Sequence, residues 1–397
     1  MIPYPDGRAP AGPGGLPAPG PDAHAHSARV VVQLGAAIDA AGGAVDFARY
    51  LDLVLYAPGL GYYSAGATRF GGAGDFVTAP ELGPAFAGSL AAVARRLAAE
   101  LPALTILEFG AGSGALAAEL LRALADAPPA RYLILEVSAD LRARQRERLA
   151  AEVPALLPRV EWLDAPPATP VDGLVVANEV VDALPWHACG LAGGLLRERC
   201  VTRSGDGFGW VERPAPAHLA AAAAAAGIDA GALPDGYRFE LRPRAAGFIG
   251  TLADCLGRGL ALVVDYGGSR RELYHPDRAA GTLRCHYRHH AHDDPFLWPG
   301  LQDITAWVDF SALADAARGA GLAVAAYGTQ AHFLLATGIL ERVRADADAA
   351  GRARAAHEVG RLLLPGELGE RFKVLVLGRA APAWASGLVM RDLRPAL

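Results

Sequence analysis

Between Leu104 and Asp182 the chain alternates short apolar runs with stretches of helical period: TILEF then ALAAELLRALAD, RYLILEV then ADLRARQRERLAAE, RVEWL, and GLVVANEV. Runs of four to six apolar residues separated by helices predict βαβ units and a parallel sheet covered on both faces. ALVVDYG (261–267) continues the series as a fifth strand, and LAVAAYG (322–328) and FKVLVLGR (372–379) supply a sixth and a seventh. The expected fold class is α/β, with a Rossmann-like, seven-stranded, mostly parallel sheet.

Around this core the pattern changes. Residues 1–26 are rich in Pro, Gly and Ala with little to bury, and read as a disordered leader. An N-terminal helical and lid region follows over 27–100, broken by the glycine-rich aromatic stretch APGLGYYSAG and resuming as a helix from Pro84. The core begins at 101–185. Strands around LLRERCV and GFGWVER, an alanine-rich helix and YRFELRP make 186–258 an insertion of small β and α elements. The core then completes over 259–397, interrupted by an irregular segment at 270–310 that contains HYRHHAHDDP.

Composition narrows the function classes. A chain of 397 residues, 52% hydrophobic and 20% charged, has apolar material for one large domain with an insertion or for two domains. The net charge is -5 and Lys373 is the single lysine, which does not suggest a nucleic-acid surface. Cys189, Cys200, Cys255 and Cys285 are far apart with no CxxC pair, which argues against a zinc ribbon and a disulfide framework and points to a reducing compartment. No apolar run approaches the roughly 20 residues of a membrane span, and the start lacks a basic-then-apolar signal, so the expectation is a cytoplasmic protein with no membrane partner.

The chemistry centres on ILEFGAGSGALA. A strand leads into Gly110, Gly112 and Gly114 and then a helix, so bare backbone and free N–H groups face a ligand. The next strand ends in Glu136, an acid able to accept two hydrogen bonds from ribose hydroxyls. Together these predict a nucleoside-containing ligand, either a dinucleotide or S-adenosylmethionine. The spacing of GAGSGALA alone does not exclude NAD. Glu108 favours the second ligand, because a carboxylate before the loop attracts a cationic amino acid portion and repels a pyrophosphate.

The blocks FARYLDLVLYAPGLGYYSAG, GDFVTAPELGP, ILEFGAGSGALA, ANEVVDALP, VVDYG, GTLRCHYRHHAHDDPFLWPGLQDITAWVDF and TQAHFL, in this order over roughly 46–379, resemble the MidA-type class I S-adenosylmethionine-dependent methyltransferases. Mitochondrial members of that family are protein arginine methyltransferases that help assemble respiratory complex I. The resemblance implies that Glu108, Gly110, Gly112 and Gly114 line the methionine end of the cofactor, that Glu136 takes the ribose, and that Asp164 lies near the adenine. It also implies that the segment with Asp75, Thr78 and Glu81 folds over the cleft, with Asp75 and Thr78 at the cofactor and Glu81 at the acceptor.

ANEVVDALP follows the fourth strand, where this class of enzyme places acceptor and catalytic groups. Asn178, Glu179 and Asp182 are the catalytic candidates, since carboxylates orient a guanidinium by paired hydrogen bonds and hold its attacking nitrogen in line. The histidines of 286–292 sit among Arg284 and Arg288, whose charge opposes a dication, and no HExxH is present. No metal is expected there. His290, His292 and Asp293 are read instead as a wall of the acceptor pocket, with Gln302, Asp303 and Asp309 ordering the loop. The reading is an S-adenosylmethionine-dependent methyltransferase acting on a partner protein that presents an arginine, with a homodimer left open. Its alternatives are a small-molecule methyltransferase and a cofactor-binding assembly factor that works by docking.

Overall fold

The computed structural model describes residues 15–64, 78–341 and 348–397. They fall into two compact units. One comprises Thr78–Leu184, Pro243–His275 and Trp307–Leu397, and the other takes the described residues before 65 together with Pro185–Arg242 and Pro276–Ala306.

The first unit is built on a sheet of β1 (Thr105–Phe109), β2 (Arg131–Leu135), β3 (Val160–Leu163), β4 (Val171–Asn178), β5 (Leu256–Gly268), β6 (Ala323–Thr329) and β7 (Phe372–Arg379). Their order is β3-β2-β1-β4-β5-β7-β6. The first five strands are parallel, and β7 runs antiparallel to both β5 and β6. An eighth strand, Val308–Asp309, pairs parallel with the end of β5. It is too short to stand out as an apolar run.

Alternation along each strand sends side chains to opposite faces, and both faces are dry. Ile106, Ile134, Leu174, Val176, Leu262 and Val374 share one core with Phe86 and Leu90 of helix α1 (Pro84–Ala98) and Leu120 of α2 (Ala115–Ala123). Leu107, Leu133, Val175, Val263 and Leu375 share the other with Ile249 and Leu252 of the helix Arg244–Cys255 and Leu313 of the helix Phe310–Gly319. Gly173 in β4 has φ 152°, and a Cβ there would lie 2.0 Å from the Thr105 carbonyl oxygen, so only glycine lets β1 and β4 pair at this point. Chain order reverses between β1 and β4, which opens a crevice at their carboxyl ends.

The second unit has a five-stranded antiparallel sheet in which Ala44–Val45 pairs with Leu195–Ser204, joining the N-terminal region to the predicted insertion. A smaller sheet holds Arg284–Tyr287 between His290–His292 and Asp303–Thr305. Val30, Leu34, Phe47, Leu51, Trp186 and Ile304 fill its core.

Three expected boundaries move. The leader predicted through residue 26 ends earlier, because a helix spans Pro21–Ala40. Proline is tolerated at its start, Asp22 sits in the first turn, and Val30, Leu34 and Ile38 form an apolar stripe that docks it. Leu16, ahead of the helix, is also buried, while residues 1–14 lie outside the described residues. The stretch expected as an insertion to residue 258 is divided at Pro243, after which the chain returns to cover the sheet. The irregular segment 270–310 is divided as well, with Pro276–Ala306 in the second unit. Among the described residues no helix is long and apolar enough to cross a membrane.

Candidate active site

After β1 the chain turns through Gly110, Gly112 and Gly114 with φ of 63°, 53° and 80°, a conformation that resists L side chains and leaves the backbone bare. Gly110 N donates to the Leu135 carbonyl at 3.0 Å, tying the turn to the end of β2. Gln145, fully buried on helix α3 (Ala139–Glu152), donates to the Gly112 carbonyl at 2.9 Å and to Glu136 Oε2 at 3.3 Å, and its own oxygen accepts from Trp162 Nε1 at 2.9 Å. One amide thus joins the glycine turn, the acid after β2 and the edge strand β3.

Glu108 and Glu136, two of the acids expected at the cofactor, are buried. Glu136 accepts from Ser138 N at 2.9 Å. Burial pushes its carboxyl up, and hydrogen bonds from Ser138 and Gln145 pull it back. Glu108, on β1, accepts from the Tyr132 hydroxyl at 2.6 Å. Burial pushes it up to about 7, Tyr132 lowers it, and the charge of Glu136 raises it again. Two acids this dry, beside a turn whose backbone is bare at three glycines, suit a ligand carrying a cation at one end and hydroxyls at the other.

The acceptor side is assembled differently. β4 ends at Asn178, and Glu179 follows in the left-handed region at φ 53°, its N–H donating to the Val264 carbonyl at 2.9 Å. Asn178 Nδ2 donates to Glu179 Oε1 at 3.3 Å, and Asn178 Oδ1 is buried with no hydrogen-bond partner among the described residues. Beneath the turn lies Asp265 of β5, fully buried. One of its oxygens accepts from Val181 N and Asp182 N, both at 3.0 Å, and the other from Tyr266 N at 2.9 Å. The Tyr266 hydroxyl donates to Asp182 Oδ2 at 2.8 Å. Val180 Cγ2 lies 3.4 Å from where a Gly110 Cβ would be, so the acid-bearing turn and the glycine turn stand side by side.

The structure therefore brings Glu108, the three glycines and Glu136 together, with Asn178, Glu179 and Asp182 next to them. Thr78 occupies the N-cap position of the short helix Ala79–Leu82 without a side-chain capping bond, and Glu81, expected at the acceptor, meets Ser113 Oγ in the glycine turn. Arg148 closes this contact, 2.9 Å from Ser113 Oγ and 3.4 Å from Glu81. Asp164 is exposed just past β3. Asp75 lies outside the described residues.

The histidine segment belongs to the second unit. It forms a hairpin whose turn residues Arg288 and His289 both have positive φ. His290 is exposed, with Nδ1 2.7 Å from the Arg288 carbonyl. His292 is half-buried and accepts from Asp294 N at 3.3 Å, and exposed Asp293 pairs with Arg284. Gln302 donates to the Pro295 and Leu297 carbonyls, Asp303 accepts from the Tyr63 hydroxyl at 2.7 Å, and Asp309 caps the helix Phe310–Gly319.

Asp265, Tyr266, Gln145 and Tyr132 escaped the reading of the sequence. The available signal was an aspartate closing the apolar run ALVV, where a buried charge needs a reason.

Residues 85–328 match the model of the "Putative S-adenosyl-L-methionine-dependent methyltransferase" family. The chain is 29% identical over 374 residues to the mitochondrial protein arginine methyltransferase NDUFAF7 of Mus musculus, covering 84% of this chain and 81% of that one. Its likeness to the Danio rerio counterpart is 30% over 369 residues, covering 84% and 83%. Among solved structures, a Burkholderia thailandensis protein bound to S-adenosyl-homocysteine superposes with a TM-score of 0.91 at 44% identity, covering 96% of this chain and all of that one.

Proposed function

From the premise that the chain belongs to this family of S-adenosyl-L-methionine-dependent methyltransferases, we propose that its acceptor is an arginine side chain of a partner protein. S-adenosylmethionine, its cofactor, supplies a methyl group on a sulfonium sulfur that needs little further activation. The residues present fit it: bare backbone at Gly110, Gly112 and Gly114, a dry carboxylate at Glu108 for the amino group, and Glu136 for the ribose hydroxyls. The exposed Asp164 is the adenine contact in this reading.

The observation that carries the acceptor proposal is the placement of Glu179 and Asp182 on one turn against the glycine loop, held by Asp265 and Tyr266. A planar guanidinium matches two carboxylates, which fix its orientation and leave one nitrogen to face the methyl. Asn178 Oδ1, buried and without a partner among the described residues, accepts a further N–H of the same group. Glu179 takes the proton that the nitrogen releases, and most of the rate comes from positioning. The likeness to NDUFAF7 supports this acceptor. The four free, buried thiols support a reducing compartment, which we take to be the cytoplasm.

The test is transfer of labelled methyl from the cofactor to lysate protein, followed by mass spectrometry of the modified residue. Label on arginine, lost in Glu179→Ala with cofactor binding kept, supports the proposal. Label only in small molecules, or binding with no transfer at all, overturns it.

A further inference from the structure

A donor set that converges lies in the same unit as the hairpin histidines but apart from them. Asp46, His187 and Glu198 offer ligand atoms all within 4.8 Å of one another. They come from three separate places in the chain: the N-cap of the helix Phe47–Tyr56, the strand His187–Ala192 and the strand Leu195–Ser204. His187 Nδ1 is 2.7 Å from Glu198 Oε1 and 3.9 Å from Asp46 Oδ1. Donors around a tetrahedral ion with bonds of ~2.0 Å stand about 3.3 Å apart, midway between those two separations, so small side-chain shifts would seat one. The His187 and Glu198 side chains are only 14% and 10% exposed, and Asp46, 40% exposed, is held as well, its Oδ1 accepting from Arg49 N at 2.8 Å and keeping a second oxygen for an ion.

A cavity adjoins two of the three donors. Asp46 and Glu198, with Cys200, are among the residues that line this cavity of about 560 Å³, while His187 lies outside that lining. On the side of Asp46 and Glu198 it leaves room for the water or ligand that a three-donor site keeps in its open position. Arg49 and Arg213 line it too, and Arg213 is the cross-strand neighbour of Glu198. Those guanidinium charges oppose any dication, and most of all magnesium or calcium, which have only charge and oxygen donors to offset the repulsion. An imidazole donor with carboxylates favours a first-row transition ion.

We propose that Asp46, His187 and Glu198 form a binding site for a divalent transition metal, zinc in the first instance, separate from the methyl-transfer residues. The test is titration of the full-length, chelator-treated protein with Co2+, followed by visible absorption, and competition by Zn2+. The expected result is one equivalent bound with the spectrum of a low-coordinate cobalt ion and displaced by zinc. Affinity should fall at least about tenfold in Asp46→Asn and in Glu198→Gln. Asparagine still caps the helix and glutamine still bonds His187, so both variants keep the wild-type fold by circular dichroism. The hairpin variant His289→Gln/His290→Gln should bind as wild type does. No saturable binding at one equivalent, unchanged affinity in the two site variants, or loss of binding in the hairpin variant would each overturn the proposal.

Discussion

The two halves of the crevice are held by opposite means. On the β1 side the backbone is shaped by residues without side chains, and Gln145 and Tyr132 satisfy the acids around it. On the β4 side a glutamate occupies the left-handed conformation that glycine prefers, and a single buried carboxylate, Asp265, keeps the turn from relaxing. The first arrangement is preorganised cheaply. The second spends backbone strain, of order 1–3 kcal/mol, to aim one acid.

The most damaging change should be Asp265→Ala. It leaves the Val181, Asp182 and Tyr266 amides without their acceptor, costs about 3 kcal/mol or more in urea unfolding, and removes methyl transfer. A loss below about 1 kcal/mol would mean the turn does not depend on it. Next comes Glu179→Gln, expected to slow transfer by about 10²-fold while the Kd for S-adenosyl-homocysteine stays within about twofold. An equal loss in both would erase the division between the halves.

The pH response of Glu108 is smaller and sharpens the cofactor side. Its carboxyl stands at about 7 against an ordinary 4.5, so between these values the folded protein holds a proton that the unfolded chain has released. Stability from this group is therefore full at the acid end and is lost as pH rises through 7, by at most about 1.4 kcal/mol per unit. Denaturant titrations across pH should find the slope flattened in Glu108→Gln and reduced when cofactor is bound, because a cation beside the carboxylate favours its charged form. Ser113→Ala should matter least. It removes the contacts to Glu81 and to the partly exposed Arg148, and less than about 1 kcal/mol of stability should go with them. A larger shift in melting would make that contact a main support of the glycine turn.

The same contrast explains what the sequence disclosed. Glycines at a strand-to-helix turn and an acid after the next strand are local patterns, so Gly110, Gly112, Gly114 and Glu136 could be found without a fold. All seven principal strands were legible from apolar runs, including β6 and β7, which are far along the chain. Asp265 was not, because its role depends on β5 lying beside β4 across 83 residues of sequence. Gln145 read as one more polar position on an arginine-rich helix, although it is fully buried. The union of Ala44–Val45 with Leu195–Ser204 escaped because a two-residue strand carries no period. The group around His187 escaped for a related reason, since its spacing is set by a β-sheet and a distant helix cap.

Glu179 also bears on attempts to make the molecule sturdier. A glycine there would suit the backbone angle better, and a screen for heat resistance alone should reward Glu179→Gly. The winner of such a screen would have discarded the working acid, so hardening this protein calls for selection on turnover as well as on survival.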